Sequence, residues 1–145
     1  MSIWHVRPTL EALRQQAQET LSAHLGIEFL EVGDDYLSGR LPVDVRTVQP
    51  FGILHGGASV TLAETLGSVA ANCCVDMAEK ICVGLDINAN HVRAVRSGYV
   101  IGTARPLHLG SSTHVWEIRI EDEQAQLVCI ARLTMAVLKR SAVSS

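Results

Sequence analysis

The chain lacks most of the features that would tie it to a metal, a membrane or a nucleic acid. Its four cysteines form no CxxC pair: Cys73 and Cys74 are adjacent, and Cys82 and Cys129 stand alone. Zinc and thioredoxin-type readings therefore have no support, and four small buried hydrophobes that stay reduced are expected. The six histidines, at positions 5, 24, 55, 91, 108 and 114, show no HExxH or other tight metal spacing. The most apolar run, Thr65 to Val75, is eleven residues long and contains Gly, Ser and Asn, whereas a membrane span needs about 20 mostly apolar residues. The first eight residues show no basic start leading into an apolar core, so no signal peptide is expected and a cytoplasmic location is. Twelve Lys and Arg against fifteen Asp and Glu give a net charge of −3. A general nucleic-acid binder needs a basic surface, so no such partner is expected.

What remains is a chain of 145 residues, 48% apolar and 19% charged. That composition excludes disorder, and the length suffices for one domain over 1–145 with its own core, ending in a polar tail at 139–145. A helix is expected to open at Thr9 as N-cap, with Leu10, Leu13, Ala17 and Leu21 at helical spacing, and to end before Gly26. Strands are expected at 27–32 and 36–43, joined through Gly33-Asp34-Asp35. In the second, Leu37, Gly39, Leu41 and Val43 share one face. A loop holding Gln49-Pro50-Phe51-Gly52 leads to a long segment, about Gly57 to Val75, that is apolar nearly all round. Such a helix is normally buried. Beyond it the period changes to two: Ile81, Val83, Leu85, Ile87 and Ala89 alternate with Cys82, Gly84, Asp86, Asn88 and Asn90. Further strands are expected at 99–109, 113–121 and 127–138. Strands without intervening helices imply antiparallel pairing, hence an α+β fold with a curved antiparallel sheet wrapped around one long helix.

A polar stripe interrupts that helix. At about 100° per residue, Thr61, Glu64, Thr65, Ser68 and Asn72 fall within one arc of about 100°. Glu64 is the only carboxylate between Asp44 and Asp76, and no Lys or Arg lies on the helix to pair with it. Two readings compete. Glu64 faces bulk water or a structural cation from elsewhere; or the stripe lines a cleft in which Glu64 is a general base or nucleophile. Immediately before the helix stands His55-Gly56-Gly57. Either the glycines merely make a tight turn into the helix, or the first free amides and the positive end of the dipole hold an oxyanion or polarised carbonyl there.

Gly56 and Glu64 are eight residues apart, which is about 12 Å of helical rise. One reacting carbon cannot be served by both from the same chain. If both act on one substrate, they come from different subunits of a two-fold homodimer with two interfacial sites. Other chemistries fall away. Gly57-Ala58-Ser59-Val60-Thr61 fails the last position of GxSxG. No GxxxxGK[ST] phosphate loop occurs. The helix carries no His-Asp pair to serve a hydratase.

The run Gln49-Pro50-Phe51-Gly52-Ile53-Leu54-His55-Gly56-Gly57-Ala58-Ser59, followed by Leu62-Ala63-Glu64-Thr65, resembles the signature of hotdog-fold acyl-CoA thioesterases. The nearest likeness is to the Glu-dependent 4-hydroxybenzoyl-CoA thioesterase-like subgroup, in its naphthoyl-CoA and enterobactin-proofreading branches. Pro42-Val43-Asp44, Ile87-Asn88-Ala89-Asn90-His91 and Pro106-Leu107-His108-Leu109-Gly110 extend the likeness over nearly the whole chain. The resemblance implies that Glu64 is the catalytic carboxylate and that the Gly56 amide polarises the thioester carbonyl. It implies that Gln49 and His55 position that carbonyl, that Ser68 orients the thioester or water, and that His91 lies near the acyl pocket. For the CoA phosphates it points to Arg93, Arg96 and Arg105, with Ser111 and Ser112. It implies no metal or other cofactor and a homotetramer built as a dimer of dimers. Ala71 to Cys74 and the segment 75–80 are smaller and more polar than the resemblance leads one to expect, in a region that shapes the acyl pocket. An aryl acyl-CoA is the favoured substrate. An acyl carrier protein with a misloaded acyl group is the second, and a non-catalytic acyl-binding module is the rival outside enzymes.

Overall fold

The computed structural model describes residues 1–142. Two short helices, α1 (Leu10–Ala17) and α2 (Leu21–Leu25), precede strands β1 (Glu28–Val32) and β2 (Leu37–Pro42). The long helix α3 (Gly56–Cys73) follows, and then strands β3 (Lys80–His91), β4 (Tyr99–Leu109), β5 (Thr113–Glu121) and β6 (Leu127–Lys139). The six strands form one antiparallel sheet in the order β1-β2-β4-β5-β6-β3. The expected α+β architecture, a curved sheet wrapped around a single helix, is the one found.

The core lies between α3 and the inner face of the sheet. Leu62, Ala63, Leu66, Ala70 and Ala71 of α3 are fully buried, as are Trp116, Ile118, Ile120, Leu133 and Met135 of β5 and β6. Gly39 and Gly102 stand opposite each other on β2 and β4. A Cβ on either would come within 2.9 Å of a Leu66 methyl. The paired glycines thus open a notch for Leu66, whose full burial stabilises the fold by about 1.5–3 kcal/mol.

The expected first helix is broken in two. Thr9 does cap it, accepting from the Ala12 amide at 3.1 Å. The Ala17 carbonyl, which a continuing helix would offer to the Leu21 amide, instead accepts from the amide and hydroxyl of Thr20. Glu19 takes a left-handed φ of 61°. Leu21 is 60% exposed, so no burial offsets a continued helix there. The second helix ends at Gly26 in the left-handed conformation, as its position suggests.

β3 also departs from its expected pattern. Its register against β6 shifts between Gly84 and Asp86, so that Leu85 is an extra residue. The bulge reverses the alternation. Cys82 and Gly84 share the helix-facing side with Ile87, Ala89 and His91, while Leu85 is 64% exposed. Of the expected polar tail, Lys139 ends β6 and Arg140–Ala142 form a 3-10 turn whose first amide bonds to the Glu79 carbonyl. Residues 143–145 lie outside the described residues.

His114 on β5 is 3% exposed, and its Nδ1 accepts from the Trp116 indole at 3.4 Å. Burial, aided by His108, holds its pKa below the ordinary value of 6.5. The unfolded chain therefore binds a proton here that the folded chain refuses. The contribution of His114 is whole above about pH 6.5 and is lost as pH falls towards the folded value. Thermal melts from pH 7.5 down to 5 are expected to show a declining Tm, with a shallower decline in His114→Gln.

Candidate active site

The loop before α3 is fixed at several points. The buried Thr47 hydroxyl donates to the Pro42 carbonyl at 2.7 Å, and its own carbonyl accepts from the His55 amide at 2.8 Å. Gln49 and Gly52 close a tight turn, with Gly52 at φ 78°. The Gln49 side-chain oxygen accepts from the Phe51 amide, so the side-chain NH2 is the end left to donate. The Leu54 amide donates to the Val95 carbonyl at 2.8 Å and ties the loop to the β3–β4 connection.

His55 is the N-cap of α3. Its Nδ1 accepts from the Gly57 amide at 2.8 Å. A neutral His55 therefore carries its proton on Nε2, the nitrogen free to donate. With Gly57 engaged, the Gly56 amide is left without a partner among the described residues. His91 reaches the same place from the end of β3: a methyl carbon built on Gly56 would lie 3.1 Å from His91 Nε2. Beside them opens a cavity of about 450 Å³ lined by Gln49, Leu54, Gly56, Ser59, His91 and Arg93. An open helix-terminal amide, the Gln49 and His91 side chains and the Arg93 cation surround one hollow, which suits a carbonyl that gains negative charge.

Glu64 does not line that cavity. It lies two turns along α3, half-buried, with no ion-pair partner among the described residues. Its Oε2 rests against the backbone of β3 at Gly84. One turn further, the Ser68 hydroxyl meets Met135 Sδ at 3.8 Å. Asn72 holds the Cys82 backbone, accepting from its amide at 2.9 Å and donating to its carbonyl at 3.1 Å. A second cavity, of about 500 Å³ and mostly apolar, opens at Ser68, Val69 and Cys73 and is walled by Ala12, Leu13 and Met77.

The expected site residues thus fall into groups. Gln49, His55, Gly56, His91 and Arg93 meet at the start of α3; Glu64 and Ser68 sit along its middle. His91 stands against Gly56 rather than at the apolar cavity. Arg96 donates to the Phe51 carbonyl at 3.2 Å, close by. Arg105 is elsewhere in the protomer, paired with Asp35 at 3.1 Å and stacked 4.6 Å above the Tyr36 ring. Ser111 lines a separate cavity of about 370 Å³ with His114 and Lys80, and the Ser112 carbonyl accepts from the Val137 amide. Gly84 was not singled out from the sequence. A glycine inside a strand pattern was the available signal, since it marks a bulge or a close approach.

The cysteines offer no nucleophile at neutral pH, because burial pushes the thiols of Cys74 and Cys82 up to about 12 and about 11. Among the described residues no His, Cys, Asp and Glu cluster is placed to hold a metal ion. No helix among them is long and apolar enough to cross a membrane.

Residues 51–129, which take in the start of α3 and Glu64, match the Thioesterase superfamily. The chain belongs to that family. It is 53% identical over 136 residues to the 1,4-dihydroxy-2-naphthoyl-CoA hydrolase of Escherichia coli, with 94% of this chain and 99% of the relative covered. The proofreading thioesterase EntH of Cronobacter turicensis is 51% identical, with 94% and 98% covered. A mutant thioesterase from Pseudomonas aeruginosa, solved as a crystal structure, superposes with a TM-score of 0.94 at 51% identity, covering 95% of this chain and 99% of that one. This thioesterase is therefore a thioester hydrolase of the hotdog fold.

Proposed function

We propose that this thioesterase hydrolyses aromatic acyl-CoA to the free acid and CoA, in a site shared by two copies of the chain. One observation carries the reading. The Gly56 amide and Glu64 lie on one rigid helix, eight residues apart, so about 12 Å of rise separates them. Only Gly56 borders the cavity that would receive a carbonyl.

A second copy related by a two-fold axis removes the difficulty. β3 is the last strand of the sheet order, and no strand among the described residues pairs with its outer edge. Twelve residues of unpaired edge are a template for a partner strand. Edge-to-edge pairing of β3 with its counterpart would bring the start of one α3 towards the middle of the other. The thioester oxygen then rests on Gly56 of one protomer, with Gln49 and His55 beside it, and the carbonyl carbon faces Glu64 of the partner subunit. The carboxylate takes a proton from the attacking water, or itself adds to the carbon and is released by water. Either way the C–S bond breaks, a C–O bond forms and the departing sulfur leaves as CoA thiol. Ser68, one turn from Glu64, orients the thioester or the water. Arg93, which borders the first cavity, and Arg96, which bonds the Phe51 carbonyl nearby, would meet the CoA phosphates. Dimers pair into a homotetramer, and the enzyme acts in the cytoplasm.

The apolar cavity at Ser68 supports the aromatic assignment. It begins one turn beyond Glu64, and its volume exceeds that of a single ring. The relative named as a proofreading thioesterase favours a second substrate, an acyl group misloaded on a carrier protein, since the pantetheine arm is common to both. Thiol release with a colorimetric reagent separates the readings. Benzoyl-type CoA esters are expected to exceed straight-chain acyl-CoA in kcat/KM by about tenfold or more, the worth of about 1.4 kcal/mol of pocket fit. Preference for straight chains would remove the aromatic assignment. A higher kcat/KM on the aryl-loaded carrier than on aryl-CoA would make the carrier the substrate, and binding without thiol release would leave only an acyl-binding module.

A further inference from the structure

We infer that Gly84 is a positioning residue for the hydrolytic carboxylate: its bare backbone is the seat against which Glu64 is held. The inference rests on the reading of Glu64 as the reacting carboxylate. A Cβ built on Gly84 would lie 2.6 Å from Glu64 Oε2, closer than two such atoms can stand. The next contacts of that Cβ are 3.7 Å to Glu64 Cδ and 3.9 Å to Met135 Sδ, ordinary separations. A methyl group at position 84 therefore meets one obstacle, and that obstacle is the end of the Glu64 side chain.

Movement of the strand instead is opposed by a clamp close by. Two residues before Gly84, Asn72 of α3 bonds both the amide and the carbonyl of Cys82. This clamps β3 to the same helix that carries Glu64. The Leu85 bulge immediately follows. Seven positions separate Gly84 from His91, and in an unbulged strand they would point to opposite faces. The extra residue turns both towards α3, so that one strand furnishes the seat for Glu64 and the side chain against Gly56. The clamp, the glycine and the bulge together set the depth of the carboxylate.

An added methyl group must shift the carboxylate while leaving the core as it is. Misplacement of a reacting group by about 1 Å costs on the order of 10²-fold in rate. Gly84→Ala is therefore expected to lower kcat by about 10- to 100-fold, with KM within about threefold of the unsubstituted enzyme. Its Tm should stay within about 5 °C and its oligomeric mass should be unchanged by light scattering. The effect should vanish when the carboxylate is withdrawn by one methylene. In a Glu64→Asp background the same Gly84→Ala change is expected to cost less than about twofold. Unchanged kcat in Gly84→Ala, an equal loss in both backgrounds, a fall in Tm beyond that range or a changed mass would each overturn the inference. If Glu64→Asp turns over too slowly to read, kcat, KM, Tm and mass of Gly84→Ala decide alone. Full activity in Glu64→Ala would instead remove the reading on which the inference rests.

Discussion

Glu64→Ala is expected to lower kcat by about 10²–10⁴-fold while the chain stays folded and assembled. The size of the effect follows from what the carboxylate can do. On the proposed reading it takes the proton of attacking water or attacks the carbonyl itself, and so acts in the chemical step rather than in binding. KM for an aryl-CoA should therefore change little, and kcat/KM should fall with kcat. The fold has no stake in this side chain. Glu64 makes no ion pair among the described residues, and alanine is the best helix former. Circular dichroism and thermal melts of the variant should match the unsubstituted enzyme, which makes the loss of turnover specific. Glu64→Gln keeps the shape and removes the charge. It is expected to be as inactive as Glu64→Ala, whereas an acyl-binding module would tolerate it.

Most of the architecture was legible in the chain because its elements obey one period each. The small-residue, apolar segment expected over 57–75 is the helix Gly56–Cys73, and the last three strands fall within a residue of their expected bounds. Elements whose fate depends on a partner were not legible. Leu21 sits at helical spacing after Ala17, but no apolar surface receives it, and the Thr20 hydroxyl and amide take the carbonyl the helix needed. The alternation of β3 read cleanly through Leu85, because a bulge adds a residue without changing composition. Only Gly84 hinted at it.

The candidate site was legible in the same uneven way. The residues before α3 carry their roles locally. His55-Gly56-Gly57 directly before a buried helix is visible as a string, and the structure adds the His55 cap and the turn at Gly52 and brings Gln49, Gly56 and His91 together beside them. The anion-binding candidates depended on long-range placement. Arg93 borders the cavity, whereas Arg105 is engaged with Asp35 and Tyr36 and Ser111 opens on a different hollow. Neither Arg105 nor Ser111 borders the Gly56 cavity, which no spacing within one chain can reveal.

The shared site predicts an unusual recovery when two disabled chains are combined. Gly56→Val crowds the start of α3, where even a single methyl carbon would stand 3.1 Å from His91 Nε2. Glu64→Ala removes the carboxylate. Each homodimer then lacks the same half of both its sites and is inactive. A mixed dimer places the intact Gly56 of one chain opposite the intact Glu64 of the other. One of its two sites is whole and the second carries both lesions. Random pairing of equal amounts makes about half the dimers mixed, each with half its sites, so about a quarter of the specific activity should return.

The deciding measurement is the rate of thiol release from an aryl-CoA by the two variants co-expressed in equal amounts and purified through different tags on each chain. Recovery to about a quarter of the unsubstituted rate, and to slightly more than a quarter in doubly tagged tetramers, is the expected result. A doubly tagged assembly no more active than its two parents would contradict a site assembled from the amide of one chain and the carboxylate of the next.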